Sequence, residues 1–200
     1  MSFWDERYDR PDYLFGEAPN AFLARQAERL KPYGTALAIA DGEGRNGVWL
    51  AERGLDVVSI DASPTGLQKA RALARRRQVA LTTELVDIAD YPWPENRFDV
   101  VAGIFFQFAG PALRDAIFAG MVRTLAPGGL LLIEGYTPRQ LDYGTGGPGE
   151  IDNLYTEALL REAFASLDIL ELRGYDAELA EGGGHRGPSA LIDLVARKPA

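Results

Sequence analysis

The chain has 200 residues, 46% of them apolar, a formal net charge of −8 and no cysteine. That length and apolar content suit one globular domain with a sizeable core, and no apolar run reaches the roughly 18 residues of a membrane span. The acidity argues against a general nucleic-acid binder, and the missing cysteines exclude disulfides and thiolate metal sites. The first residues, Met1-Ser2-Phe3-Trp4-Asp5-Glu6-Arg7, lack the basic start and apolar stretch of a signal peptide, which fits the cytoplasm.

Residues 3–20 mix aromatic residues (Phe3, Trp4, Tyr8, Tyr13, Phe15) with charge, glycine and proline, and fit no helical or strand period. They read as an N-terminal arm that packs on the domain, closes over a ligand as a lid, or does both. Asn20 is placed to cap a helix over 21–30. Strands are expected near 36–40, 56–60, 82–86, 98–104 and 129–134, and helices near 46–53, 65–76 and 112–125. The strands are almost wholly apolar, as in a parallel sheet buried on both faces. The basic run Arg75-Arg76-Arg77 falls in the last turn of its helix, where it complements the macrodipole. Residues 135–153 read as a long loop, and 156–165 as a helix. Two strand-like runs, 168–177 and 189–197, are joined by residues 181–188 and can pair only as an antiparallel hairpin. The expected fold is a doubly wound, Rossmann-like α/β sheet of seven strands, mostly parallel, with an antiparallel C-terminal strand and helices on both faces. One domain is expected, with an arm (1–20), a cofactor core (21–134) and a substrate side (135–200).

The chemistry gathers at one strand–turn–helix unit. Ala36–Ala40 read as a buried strand, Asp41-Gly42-Glu43-Gly44-Arg45-Asn46-Gly47 as a glycine-rich turn, and Val48 onward as a helix. Glycine permits close approach to the backbone, and the helix start offers N–H donors. Asp61, at the end of the next strand, is placed to accept from ribose hydroxyls. This is a nucleotide-type cradle for a nicotinamide or flavin dinucleotide or for S-adenosylmethionine. Ligands of such sheets bind beyond the carboxyl ends of the strands. That rule selects Asp41–Gly44, Asp61–Ala62, Asp87–Ile88, Phe105–Phe108 and Glu134–Tyr136. His185 and Arg186 lie at the hairpin tip, overhanging the substrate side if the run 168–177 is parallel to its neighbours. His185 is either a solvent-exposed bystander or a group that accepts a proton or steers an anionic substrate, and Arg139 and Arg186 suit an oxyanion. No metal-ligand cluster is visible.

Leu125-Ala126-Pro127-Gly128-Gly129-Leu130-Leu131-Leu132-Ile133 resembles the helix-to-fifth-strand junction of class I S-adenosylmethionine-dependent methyltransferases. The terminal hairpin, Val86-Asp87-Ile88 and Phe98-Asp99-Val100-Val101 resemble further elements of that family. Trp4–Tyr8, Tyr13-Leu14-Phe15-Gly16, Gly42–Asn46 and Tyr136–Leu141 look like small bacterial methyltransferases grouped with tellurite-resistance proteins, and more distantly like thiopurine-type ones. The resemblance implies S-adenosyl-L-methionine as cofactor and in-line methyl transfer to a small-molecule acceptor, with neither nucleic acid nor membrane as partner. It implies cofactor contacts at Asp41, Gly42, Gly44, Arg45, Asn46, Asp61, Ala62, Asp87, Ile88, Ile104 and Tyr13. Catalytic or substrate-handling roles are implied for His185, Arg186, Gln107 and Arg139. Two departures stand out. Ala38 replaces the family's acidic residue of the first strand, leaving open whether Asp41 substitutes for it. Gln107 stands where relatives often carry His. A nicotinamide-dependent oxidoreductase and a non-catalytic S-adenosylmethionine-binding regulator are the alternatives; oligomeric state is not legible.

Overall fold

The computed structural model describes residues 3–200; Met1 and Ser2, the first two residues of the arm, lie outside the described residues. In chain order the elements are α1 (Phe3–Tyr8), α2 (Ala21–Arg25), α3 (Ala27–Leu30), β1 (Thr35–Ile39), α4 (Arg45–Glu52), β2 (Asp56–Asp61), α5 (Pro64–Arg77), β3 (Thr82–Leu85), β4 (Phe98–Ile104), α6 (Pro111–Thr124), β5 (Leu125–Tyr136), α7 (Gln140–Tyr143), α8 (Glu157–Ala163), β6 (Asp168–Glu181) and β7 (His185–Arg197). The strands form one seven-stranded sheet in the order β3-β2-β1-β4-β5-β7-β6. β7 alone runs against its neighbours, pairing antiparallel with both β5 and β6.

The period-2 alternation of each strand divides its apolar residues between two cores. Leu37, Ile39, Val101, Leu131 and Ile133 face one side, where Ile117, Phe118 and Met121 of α6 and Leu160 of α8 cover them. Ala36, Ala38, Val100, Leu130 and Leu132 face the other, against Phe22, Leu23, Leu30 and the α4 pair Trp49–Leu50. Each fully buried Leu or Ile contributes roughly 1.5–3 kcal/mol, so both faces need a helical cover. The single helix expected over 21–30 is broken at Gln26 into α2 and α3. Asn20 caps α2 as expected, accepting from Leu23 N at 3.0 Å. Ser63 does the same for α5, accepting from Gly66 N at 3.0 Å, with Pro64 in the first helical turn.

Further expectations need correction, among them the loop read over 135–153, which holds the end of β5 and the short helix α7. Residues Phe3–Tyr8, without an evident period, form a helix, stabilised by Trp4 stacking on Tyr8 at 5.7 Å across one turn. β5 begins at Leu125 rather than near 129, because the Pro127-Gly128-Gly129 segment bulges between the pairs Phe98–Leu125 and Val100–Leu130 without ending the strand. The hairpin is longer than expected, and its turn is only Gly182-Gly183-Gly184. Gly182 has φ +64°, and the N–H groups of Gly183 and Gly184 both donate to Leu14 O, at 2.9 and 3.0 Å. The arm is therefore fastened to the turn by backbone bonds.

Candidate functional site

A cavity of about 740 Å³ opens at the carboxyl ends of β1, β2 and β4, where the sheet order turns back on itself. Its floor and one wall come from the first βαβ unit. Asp61, at the end of β2, accepts from Gly42 N (2.8 Å) and Ser63 N (2.8 Å). Each carboxylate oxygen keeps a second lone pair, and the side chain lines the cavity. Burial pushes its carboxyl above the usual range, offset by those backbone donors. Asp41 is half-buried and holds the first turn of α4, accepting from Gly47 N at 3.1 Å and from Ser59 Oγ at 2.8 Å. Desolvation raises its pKa to about 7.

The glycine turn is built to a tolerance that only glycine meets. Gly44 has φ +86°, and a Cβ there would stand 2.5 Å from Ala70 Cβ of α5. Gly42 (φ +55°) is covered by the Tyr8 hydroxyl, which would collide with any side chain. The amides of the turn are spent internally: Gly42 N on Asp61, Gly44 N on Asp41 O (3.0 Å) and Gly47 N on the Asp41 carboxylate. The expected open row of turn donors is thus largely engaged, and Gly42 and Gly44 lie behind the cavity wall as its support.

The side chains of Asp41, Arg45, Asn46, Asp61, Ala62, Asp87, Ile88 and Ile104 line the cavity together, alongside Ile60 and Val86. Carboxylates at two strand ends, an apolar slot of Ile60, Ile88 and Ile104, and Asn46, whose Oδ1 accepts from Asn20 N at 2.9 Å so that its NH2 group is left to donate, form a set that fits S-adenosylmethionine. Asp61 and Asp87 suit the ribose and the adenine amine, and the apolar slot suits the base. Tyr13 is a correction. Its hydroxyl donates to Lys69 O (3.0 Å) and its ring lies under the cations of Lys69 and Arg76, at 5.0 and 5.1 Å, away from the cavity. Of the arm's tyrosines, Tyr8, one turn from Trp4, is the one that reaches the cavity; the i, i+4 aromatic pair was the available signal.

The other wall is aromatic. Phe15, His185, Phe105 and Tyr136 stack in series, with centroids 4.4, 4.3 and 4.7 Å apart. Phe105 holds φ +54° at the carboxyl end of β4, a conformation that costs an L-residue roughly 1–2 kcal/mol and turns its ring into the stack. Phe3, Trp4, Arg7 and Phe108 line the mouth with Gly146, Gly147, Pro148 and Glu150. His185 is buried, not a solvent-exposed tip residue, because it opens β7 and its Nδ1 lies 2.6 Å from Tyr136 Oη. Desolvation, with Arg45 and Arg7 adding to it, lowers its pKa to about 3. Arg186, next along β7, points the opposite way by strand alternation and is exposed outside the cavity. Arg139 also lies outside, paired with Asp176 at 2.8 Å. Gln107 borders the cavity, but its amide is fully used: Nε2 donates to Tyr136 O and Asn153 O (2.9 and 3.0 Å) and Oε1 accepts from Tyr136 N. It fixes Tyr136 and the loop before α8. Among the described residues no group of His and carboxylate side chains suits a metal ion, and no helix is long and apolar enough to cross a membrane.

Behind this wall a buried polar cluster joins β5, β6, β7 and the arm. Asn20 donates to Glu134; Tyr175 Oη bridges Glu134 (3.1 Å) and Asp193 (3.2 Å); Arg25 pairs with Asp193 at 2.8 Å; Arg45 pairs with Glu181 at 2.7 Å. Burial pushes both Glu134 and Asp193 upward, and each stands close to further carboxylates. A carboxyl whose folded-state pKa is raised binds more protons folded than unfolded, so its contribution to stability falls as pH rises from the unfolded pKa to the folded one. For Asp41 that window runs from about pH 4 to about 7. His185 acts with the opposite sign below about pH 6.5. The expected result therefore concerns a difference. Asp41→Asn, measured by denaturant unfolding, should gain stability relative to the parent chain as pH rises across 4 to 7, by up to about 1.4 kcal/mol per pH unit. A difference that stays flat with pH would show that Asp41 titrates normally.

Comparison with known proteins places these observations. Residues 36–129 match the model of a methyltransferase domain family. The 2-heptyl-1-hydroxyquinolin-4(1H)-one methyltransferase of Mycobacteroides abscessus is 26% identical over 183 residues, covering 90% of this chain and 78% of that one. TehB from Haemophilus influenzae superposes with a TM-score of 0.72 at 20% identity, over 98% of this chain and 66% of that one. The N-methyltransferase NodS from Bradyrhizobium japonicum WM9, solved with S-adenosyl-L-homocysteine, gives 0.72 at 17% identity, over 98% and 97%.

Proposed function

We propose that this chain, a class I S-adenosylmethionine-dependent methyltransferase, transfers the methyl group to a small, flat aromatic acceptor bearing a hydroxyl or ring-nitrogen nucleophile. The observation that carries this reading is the stacked series Phe15–His185–Phe105–Tyr136, which lines the same cavity as Asp41, Asp61 and Asp87. These rings, tilted 27–30° to one another and in contact along the series, give the cavity an aromatic surface that favours a planar ligand through dispersion and offset stacking. The hydroxyquinolone accepted by the Mycobacteroides relative is such a molecule.

The cofactor, when bound, supplies an activated methyl group on a sulfonium. The chain's own residues then orient, enclose and desolvate. Asp61 and Asp87 hold the sugar and base end. Ile60, Ile88 and Ile104 give that end its apolar contacts. Asn46 offers its amide toward the amino-acid end, and Asp41 stands beside it. Phe3, Trp4 and Phe15 cover the mouth as a lid; α1 is tied down by Ser63 Oγ donating to Asp5 Oδ1 (2.5 Å) and by Lys69, whose ammonium donates to the carbonyls of Tyr8, Arg10 and Asp12 (3.2, 3.1 and 2.6 Å) and pairs with Glu43. Alignment and exclusion of water supply most of what a methyl transfer needs from a protein.

The test is a panel assay with methyl-labelled cofactor. Hydroxyquinolines, phenols and N-heterocycles should be methylated, with catalytic efficiency at least about tenfold above that for aliphatic amines, carboxylic acids and tellurite. A preference for any of those non-aromatic acceptors would refute the aromatic reading.

A further inference from the structure

Building on the aromatic-acceptor reading, we propose that His185, held by Tyr136, donates its Nε2–H to the acceptor oxygen, so that the enzyme takes acidic hydroxyl compounds already ionised and removes no proton itself.

The direction of the Tyr136–His185 bond sets the tautomer. A phenol is a stronger acid than a neutral imidazole N–H, and an imidazole nitrogen is a stronger base than a phenol oxygen. The 2.6 Å contact therefore runs from Tyr136 O–H to Nδ1. Burial and the negative charges of Glu134 and Glu181 push the Tyr136 hydroxyl well above its ordinary pKa, which keeps it a donor. In the reverse arrangement the Tyr136 proton would have no acceptor among the described residues. With Nδ1 accepting, the single proton of a neutral imidazole sits on Nε2. That nitrogen has no protein partner among the described residues, and the ring lines the cavity.

The ring is also a poor base. It is sandwiched between Phe15 and Phe105, buried, and its pKa lies at about 3, whereas a general base works best with a pKa near the operating pH. The charged groups around the pair are Arg7 from α1, Arg45 from α4, Glu134 from β5 and Glu181 from β6. Arg45 is neutralised by Glu181 at 2.7 Å. Arg7 has no carboxylate partner among the described residues; it lies over Phe3 and Trp4, at 5.5 and 5.2 Å, on the cavity wall. The acceptor end thus offers one N–H donor, with the Arg7 cation and the Glu150 carboxylate both at the mouth, and it is the N–H of His185 that favours an oxyanion. In the step itself, a lone pair of the ionised oxygen forms the new O–C bond while the S–C bond breaks. Its electron pair stays on sulfur as a neutral thioether, and no proton changes hands.

The test uses 4-nitrophenol, whose ionised form absorbs visible light, titrated against pH on the full chain loaded with S-adenosylhomocysteine. The bound phenol is expected to ionise with an apparent constant at least about tenfold above that of the free phenol. His185→Phe keeps the ring sandwich and should abolish that shift, His185→Gln should restore part of it through its amide N–H, and Tyr136→Phe should reduce it. The S-adenosylhomocysteine dissociation constant should stay within about twofold throughout. A wild-type complex holding the neutral phenol, or a His185→Phe complex with the shift intact, overturns this proposal and leaves the aromatic-acceptor reading standing. Absence of any nitrophenol binding overturns both.

Discussion

Asp61→Ala is expected to weaken S-adenosylmethionine binding roughly tenfold to a hundredfold, the 1.5–3 kcal/mol of hydrogen bonds to a charged group. The carboxylate has two tasks, and the substitution removes both. It takes away the acceptor for the ribose hydroxyls, and it leaves Gly42 N and Ser63 N, now bonded at 2.8 Å each, without their partner. Those amides hold the glycine turn and the start of α5, so unfolding stability should also drop by about 1–3 kcal/mol. Asp61→Asn separates the tasks. Its remaining carbonyl oxygen can keep one of the two amides, so stability should recover more than affinity does. Titration calorimetry gives the affinity and urea unfolding gives the stability. An unchanged dissociation constant in Asp61→Ala would remove this residue from the cofactor site.

Gly44→Val should be the most damaging single change at the turn. The position has φ +86°, which costs an L-residue roughly 1–2 kcal/mol, and the added Cβ would stand 2.5 Å from Ala70 Cβ and 2.8 Å from Ala70 Cα. Backbone on both sides has little room to move, so overpacking adds roughly 1–3 kcal/mol. A total near 2–5 kcal/mol is a large share of a typical domain's stability. Gly54→Ala is the internal control: φ is +92° there too, but the space is open, so only the conformational cost should appear. Equal losses in the two variants would show that the fit of α5 against the turn contributes nothing.

Much of the sheet was legible because its strands are buried on both faces and so stand out as unbroken apolar runs between glycine and proline. The hairpin and its antiparallel sense followed from the short link between the last two runs. What escaped was decided by contacts distant in sequence. Tyr13 and Tyr8 look alike in an arm of no evident period; only the cations of α5 under one ring and Gly42 under the other tell them apart. His185 and Arg186 are neighbours, and which of them enters the cavity depended on where β7 begins and on its register with β6. Gln107 has the right place but no free polar atom, because both ends of its amide serve backbone groups of Tyr136 and Asn153. The polar cluster around Glu134 gave no local sign, since its members come from five separate stretches of chain.

That the arm is fastened to the far hairpin also sets an order of events during folding. Asn20 and Glu181, which bond to each other, are 161 positions apart, and Leu14 O waits for the amides of Gly183 and Gly184. The arm packs on α5 and the glycine turn, which lie close to it in sequence, but its bonds to the last hairpin cannot form until that hairpin exists. Phe15 waits for His185, the ring it stacks on, and the closing step joins the most widely separated parts of the chain, the kind of contact whose loop entropy slows folding most. The cavity mouth is thus completed last, after the sheet that carries it.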